Sequence, residues 1–205
     1  IYGRQDQTWV ERIKKLPSTT VAIMSPGEMS MISLNKTVAP LDDIRVRQAV
    51  AHSIDRKTMV AFKGQDVALA AMSVVPEGYL GYTSDVPIYE FSIDKAKALL
   101  TEAGYPNGVT IKAIHTSLPG MLGTMEALQS LLRDAGINLE IEVVEHATFH
   151  EQIRKDMSQV THYSAARFPV ADTYLTQFFH SDSIPLKPKA VTNFSHCDVA
   201  DTEIE

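Results

Sequence analysis

The chain has 205 residues, which suits one large or two small domains burying roughly 70% of the unfolded surface. Its net charge of −6 leaves no basic stripe to neutralise phosphates, so nucleic acid is excluded as a partner. A single cysteine, Cys197, rules out an internal disulfide, and no apolar run reaches the ~18 residues needed to cross a bilayer.

In chain order, Trp9, Val10, Ile13 and Leu16 predict a short amphipathic helix ending near Pro17. Residues 21–24 and 29–34 read as short strands. After Pro40, Asp42 or Asp43 caps a helix whose apolar face is Val46, Ala49, Val50 and Ile54. Its pattern runs to Met59, with Asp42–Arg45 and Asp43–Arg47 as three- and four-residue ion pairs, and Gly64 opens a loop. A Pro/Gly stretch over 75–82 carries Tyr79 and Tyr82. Ser92 caps the next helix, Ile93, Ala96, Leu99, Leu100 and Ala103 form its buried stripe, and Gly104 and Pro106 stop it.

Residues 109–114 predict a strand, 119–135 a helix stopped by Gly136, and 137–144 an alternating strand. Together they make a βαβ unit with parallel strands. A helix over 147–157, a strand over 160–166 and a helix over 171–180 complete the regular part, and 181–197 reads as loop. The chain begins at Ile1 and stops inside what reads as a starting helix, which predicts a piece of a longer polypeptide.

Three stretches carry a resemblance. The run from Asn35 through Pro40-Leu41-Asp42-Asp43, Arg45-Val46-Arg47-Gln48-Ala49 and Ile54-Asp55-Arg56 resembles the signature of family 5 solute-binding proteins, the peptide, nickel and oligopeptide-binding components of ABC importers. The run from Asp94 to Gly108, with Lys95-Ala96-Lys97, Leu99-Leu100 and Glu102-Ala103-Gly104-Tyr105-Pro106, is similar to a second family stretch. A modified third lies over 163–175. The resemblance implies an α/β lobe of a type II periplasmic-binding-protein fold, a mixed sheet flanked by helices. It further implies that 1–35 lead from a first lobe through the hinge, 36–190 form the second lobe, and 191–205 begin the return.

The implied function is capture of a peptide-like or small anionic solute between two lobes, and delivery to permease subunits in the membrane. The protein would be periplasmic, or lipid-anchored outside a Gram-positive cell. Its partners would be the solute, the missing first lobe and the permease. A sensing module of the same fold, uncoupled from transport, is the alternative.

In peptide-binding members the third stretch holds an aspartate for the ligand's ammonium group. The aligned residue here is Arg167, and the family's tryptophan position is Ser164. An arginine presents a planar fork of donors suited to a carboxylate or phosphate. Arg167, Phe168, Ser164 and Tyr163 are therefore candidate ligand contacts. Tyr79 joins them because its loop lies near the cleft in the family. His115 joins them because dipeptide-binding relatives carry a carboxylate-holding arginine just after the strand over 109–114.

No metal or cofactor is expected. His146 and His150 have a chelating spacing, but they read as cap or surface histidines, and His196 and Cys197 lack further ligands nearby. No G-x-S-x-G, G-x-x-x-x-G-K-[ST] or G-x-G-x-x-G motif occurs, so catalysis has no support.

Overall fold

The computed structural model describes residues 7–22 and 28–198. Its centre is a four-stranded mixed sheet in the order β1-β4-β2-β3, where β1 is Met29–Leu34, β2 Val109–Thr116, β3 Ile137–Val144 and β4 Val160–Ala165. β2 is parallel to both β3 and β4, while β1 runs antiparallel to β4. The parallel pair follows from the helix α5, Pro119–Asp134, that connects β2 to β3. The α/β architecture expected from the sequence is the one observed.

Helices cover both faces. On one, α2 (Ile44–His52), α4 (Ile93–Glu102) and α5 bury Val46, Ala49, Val50, Ala96, Leu100, Leu128 and Leu132 against Ile111, Ala113, Leu139 and Val160. On the other, α6 (His146–Arg154) lays Phe149 and Ile153 against Ile114, and α7 (Ala171–Phe178) lays Tyr174 and Phe178 against Met29 and Ala165. Neighbouring residues such as Ala113 and Ile114 reach opposite layers because strand side chains alternate. At the start of the βαβ unit, Gly108 has φ +91°, and a Cβ there would sit 2.4 Å from the Gly136 carbonyl oxygen. Only glycine permits that approach.

Several local expectations are corrected. The helix predicted after Pro40 is two helices, α2 and α3 (Arg56–Lys63). Ser53 Oγ donates to the Ala49 carbonyl at 2.7 Å, and Asp55 accepts from the Lys57 amide, so a new cap starts before the first helix can continue. Asp43 caps α2, but the arginine pairs differ from those predicted. Arg45 pairs with Asp43 at 2.6 Å, and Arg47 donates to the Leu41 and Asp42 carbonyls. A cap carboxylate already faces the first turn, so the nearer arginine takes it.

The first helix, α1, spans Gln7–Lys14. Of the strand predicted over 21–24, Val21 and Ala22 are not in a strand, and 23–24 lie outside the described residues. β2 extends two residues beyond its predicted end. His115 therefore lies inside the strand rather than in the loop after it.

Candidate site at the carboxyl ends of the strands

Ligands of open α/β sheets sit beyond the carboxyl ends of the parallel strands. Here those ends are Thr116, Val144 and Ala165, and the loops after them start α5, α6 and α7. A cavity of about 160 Å³ opens there, lined by Leu118, Met121, His146, Phe149, His150, Tyr163 and Ser164. Tyr163 and Ser164 thus share one hollow with two histidines that sequence reasoning set aside. Their signal was positional: His146 follows a parallel strand by two residues, where helix starts face ligands. A shallower hollow of about 390 Å³ lies at the amino end of β2, and none of its lining residues is charged.

The cavity walls are aromatic. The His146 and His150 rings meet edge to face at 4.6 Å, and Tyr163 lies 6.1 Å from His150 and 5.6 Å from Phe194. Glu145, not His146, caps α6, accepting from the Ala147 and Thr148 amides, which leaves His146 Nδ1 to meet Thr116 Oγ1 at 3.1 Å. His150 Nδ1 is buried with no protein partner among the described residues. Burial, then the nearby His146 and Arg154, hold the His150 pKa below its ordinary value, so its ring is neutral near pH 7.

Beneath this hollow lies a buried imidazole pair. His115 and His162 are 0% and 2% exposed, and their rings stack with planes 9° apart. His115 Nδ1 meets the Thr116 carbonyl at 3.1 Å, and a carbonyl only accepts, so Nδ1 carries the proton. His115 Nε2 then accepts from His162 Nδ1 at 3.0 Å, and His162 Nε2 accepts from Ser30 Oγ at 2.9 Å. The chain of bonds has one direction and ties β1 to β2 through β4. Burial drives the His162 pKa down to about 3, and burial also lowers that of His115, so both rings are neutral. His115 is shut off from solvent.

Arg167 follows β4 on the side of α7. Its Nε donates to Gln177 Oε1, its Nη1 donates to the Ala166 carbonyl at 2.9 Å, and its guanidinium lies 5.4 Å from the centre of the Phe178 ring. Asp172 instead accepts from Thr176. Among the described residues no carboxylate pairs with Arg167, and three of its five N–H donors are uncommitted. Phe178 also meets Tyr163, at 6.3 Å between ring centres, so two rings in contact lead from Arg167 to the rim of the hollow.

Phe168 is 78% exposed and Leu80 75%. Leu80 bridges to Val170, which brings the loop over 75–82 beside the strand end, with Tyr79 packed on Tyr174 at 6.0 Å. Tyr163, Ser164, Arg167, Phe168 and Tyr79 thus gather on one edge of the sheet, while His115 lies under it. Among the described residues no three metal-ligating side chains come together, and no helix is long and apolar enough to cross a membrane.

The sequence profile of bacterial extracellular solute-binding proteins, family 5 middle region, matches residues 3–185. The chain is 32% identical over 102 residues to the dipeptide-binding protein of Escherichia coli K12, a match covering 50% of this chain and 19% of that protein. The solved structure of the binding protein MoaA from A. tumefaciens R10, in complex with mannopinic acid, superposes with a TM-score of 0.90 at 43% identity. That superposition covers 97% of this chain and 40% of MoaA. The structure of AgaA from the same strain, in complex with agropinic acid, gives 0.74 at 25% identity, over 90% of this chain and 38% of AgaA. The chain therefore spans well under half the length of these relatives. With its profile match over most of its length and a mixed sheet that superposes on solved members, the chain belongs to the family 5 bacterial extracellular solute-binding proteins.

Proposed function

We propose that the chain is the second lobe of a solute-binding protein that captures a small organic acid and delivers it to the permease subunits of an ABC importer. The observation that carries the reading is Arg167. It is a cation fixed in place by Gln177, the Ala166 carbonyl and Phe178, at a strand's carboxyl end, with no carboxylate paired to it among the described residues. Fixing the side chain in advance removes part of the entropy cost of holding an anion. Two similar structures hold mannopinic acid and agropinic acid, compounds that are acids by name.

In this reading Arg167 takes the acidic group, Ser164 and Tyr163 supply hydrogen bonds, and Phe168 and Tyr79 pack on the rest. His115 acts from beneath, by fixing His162 and the strand end. Residues 1–35 lead from the first lobe, 36–190 form this lobe, and 191–205 begin the return. Closure of the first lobe onto this edge buries the solute and makes the form that docks on the permease. The place of action is the periplasm, or the outer surface of a Gram-positive cell with a lipid anchor.

A peptide-like solute is the second reading, favoured by the dipeptide-binding relative. The arginine repels a peptide's ammonium group, so such a ligand would have to present its carboxylate here. Calorimetric titration of the intact two-lobed polypeptide with mannopinic acid tests the organic-acid reading. Arg167→Ala should weaken binding at least about tenfold, the loss of a charge-assisted pair. Unchanged affinity removes Arg167 from the site. These 205 residues alone should bind far more weakly than the intact polypeptide, since they hold half of the contacts.

A further inference from the structure

The hollow at the strand ends is lined by polar groups that nothing in the described residues satisfies. His146 is the exception, since its Nδ1 meets Thr116 Oγ1 at 3.1 Å. Neither nitrogen of His150, nor the hydroxyl of Tyr163 or Ser164, has a hydrogen-bond partner among the described residues. His150 Nδ1 is buried as well, a costly state for a polar atom with nothing to pair with.

The uncommitted groups are of one kind. A hydroxyl both donates and accepts, and a neutral imidazole does the same through its two nitrogens. Burial keeps the His150 ring neutral. No carboxylate, ammonium or guanidinium lines the hollow. A ligand carboxylate placed here would only accept, and an ammonium would only donate, each without a countercharge. A run of ligand hydroxyls matches the whole set. The rings of Phe149, Tyr163, His146 and His150 give the carbon chain between such hydroxyls an apolar wall. The volume of about 160 Å³ equals that of about five waters, room for a short hydroxylated chain.

The hollow is also within a small molecule's reach of Arg167. The guanidinium lies 5.4 Å from the Phe178 ring centre, and that centre lies 6.3 Å from the one of Tyr163, in the hollow's wall. Arg167 and the Tyr163 ring are therefore no farther apart than those two distances laid end to end.

We infer that the hollow holds a hydroxylated chain of the ligand, with His150 reading its hydroxyls, so that the solute is a polyhydroxylated organic acid. The inference rests on the organic-acid reading above and names the class of acid within it.

The test is calorimetry on the intact polypeptide with gluconic acid and hexanoic acid, which share a chain length and differ in their hydroxyls. Mannopinic acid is the reference. Gluconic acid should bind at least about tenfold more tightly than hexanoic acid, because a ligand without hydroxyls leaves the site's polar groups unpaired. His150→Phe keeps a ring and removes both nitrogens, and it should cut that preference at least about fivefold by weakening gluconic acid. His150→Gln keeps a donor and an acceptor and should recover most of the preference, which a merely structural role would not predict. Ser164→Ala carries the same comparison at the neighbouring hydroxyl if His150→Phe unfolds. A preference that survives the variant overturns the assignment to these side chains. Gluconic acid that binds no better than hexanoic acid overturns the hydroxylated chain, and binding of mannopinic acid then leaves the organic-acid reading standing. Failure of every one of these acids to bind overturns both.

Discussion

The two halves of β2 and β4 differ in kind although they belong to the same strands. Towards their amino ends these strands bring Ile111, Ala113 and Val160 into an apolar core with Leu128, Leu132 and Leu139. Towards their carboxyl ends they bring His115, Thr116, His162 and Ser164 to the end where α5 and α6 start. Ile111, Ala113 and Val160 are buried, and so are His115, Thr116 and His162, so burial does not separate the two sets. The difference lies in what replaces water: dispersion contacts in one, a directed chain of hydrogen bonds in the other. Under the proposed function one strand is a stability element at its amino end and a binding element at its carboxyl end, with the change made within two or three residues.

The largest effect that can test this division is in the apolar half. Leu128 is 1% exposed and packs in the main core, so Leu128→Ala should cost about 4 kcal/mol, read from a urea unfolding midpoint. A loss below about 1 kcal/mol would mean that the core collapses freely around the gap, and that the amino halves are not the stability element.

The polar half should answer to pH instead. His162 titrates near 3 in the folded chain against an ordinary 6.5, and His115 is lowered too. Between those values the unfolded chain binds more protons than the folded one. The stability held by the neutral pair is therefore complete above about pH 6.5 and is lost as pH falls towards 3. The expected loss is on the order of 3 kcal/mol. Urea midpoints from pH 7 to 4 should fall steeply in the unaltered chain, and less steeply in His115→Leu/His162→Leu, where both hydrogen-bonding partners are removed together. An equally steep fall in the double variant would place the acid sensitivity elsewhere.

The sequence exposes the first kind of region far better than the second. The alternation over 137–144 and the stripe Ala96, Leu99, Leu100 locate strand and helix because apolar periodicity is a local signal. The break between α2 and α3 was hidden because Ser53 and Asp55 act through hydrogen bonds to the backbone, which do not disturb the apolar pattern. The imidazole pair was hidden for another reason. His115 and His162 are 47 residues apart, and only the parallel pairing of β2 with β4 stacks them. Arg167 stood out against the family pattern, but its fixing by Gln177 and Phe178 is tertiary.

Two smaller effects sharpen the boundary from the apolar side. Gly108→Ala must place a methyl group 2.4 Å from the Gly136 carbonyl oxygen at a positive φ. It should cost about 2 kcal/mol in urea unfolding, by strain at the amino end of β2. Because that strain lies at the far end of the strand from the cavity, ligand affinity of the intact protein should stay unchanged.

The smallest effect is at Ser92. Its Oγ accepts from the Lys95 amide at 3.2 Å, and its own amide donates to the His52 carbonyl at 2.9 Å, so the start of α4 is tied to the end of α2. Ser92→Ala keeps the main-chain tie and loses only the cap, which is worth about 1 kcal/mol. Ser92→Asp should restore the cap, with a negative charge suited to a helix start, while Ser92→Gly should recover most of it. α4 packs against α2 and the apolar core and contributes nothing to the lining of the cavity at the strand ends. The Ser92 variants should therefore move the urea midpoint and leave the ligand affinity of the intact protein where it was. A variant that weakens both in proportion would show that the helical layer and the carboxyl ends open as one unit, and the division within each strand would then be one of chemistry alone.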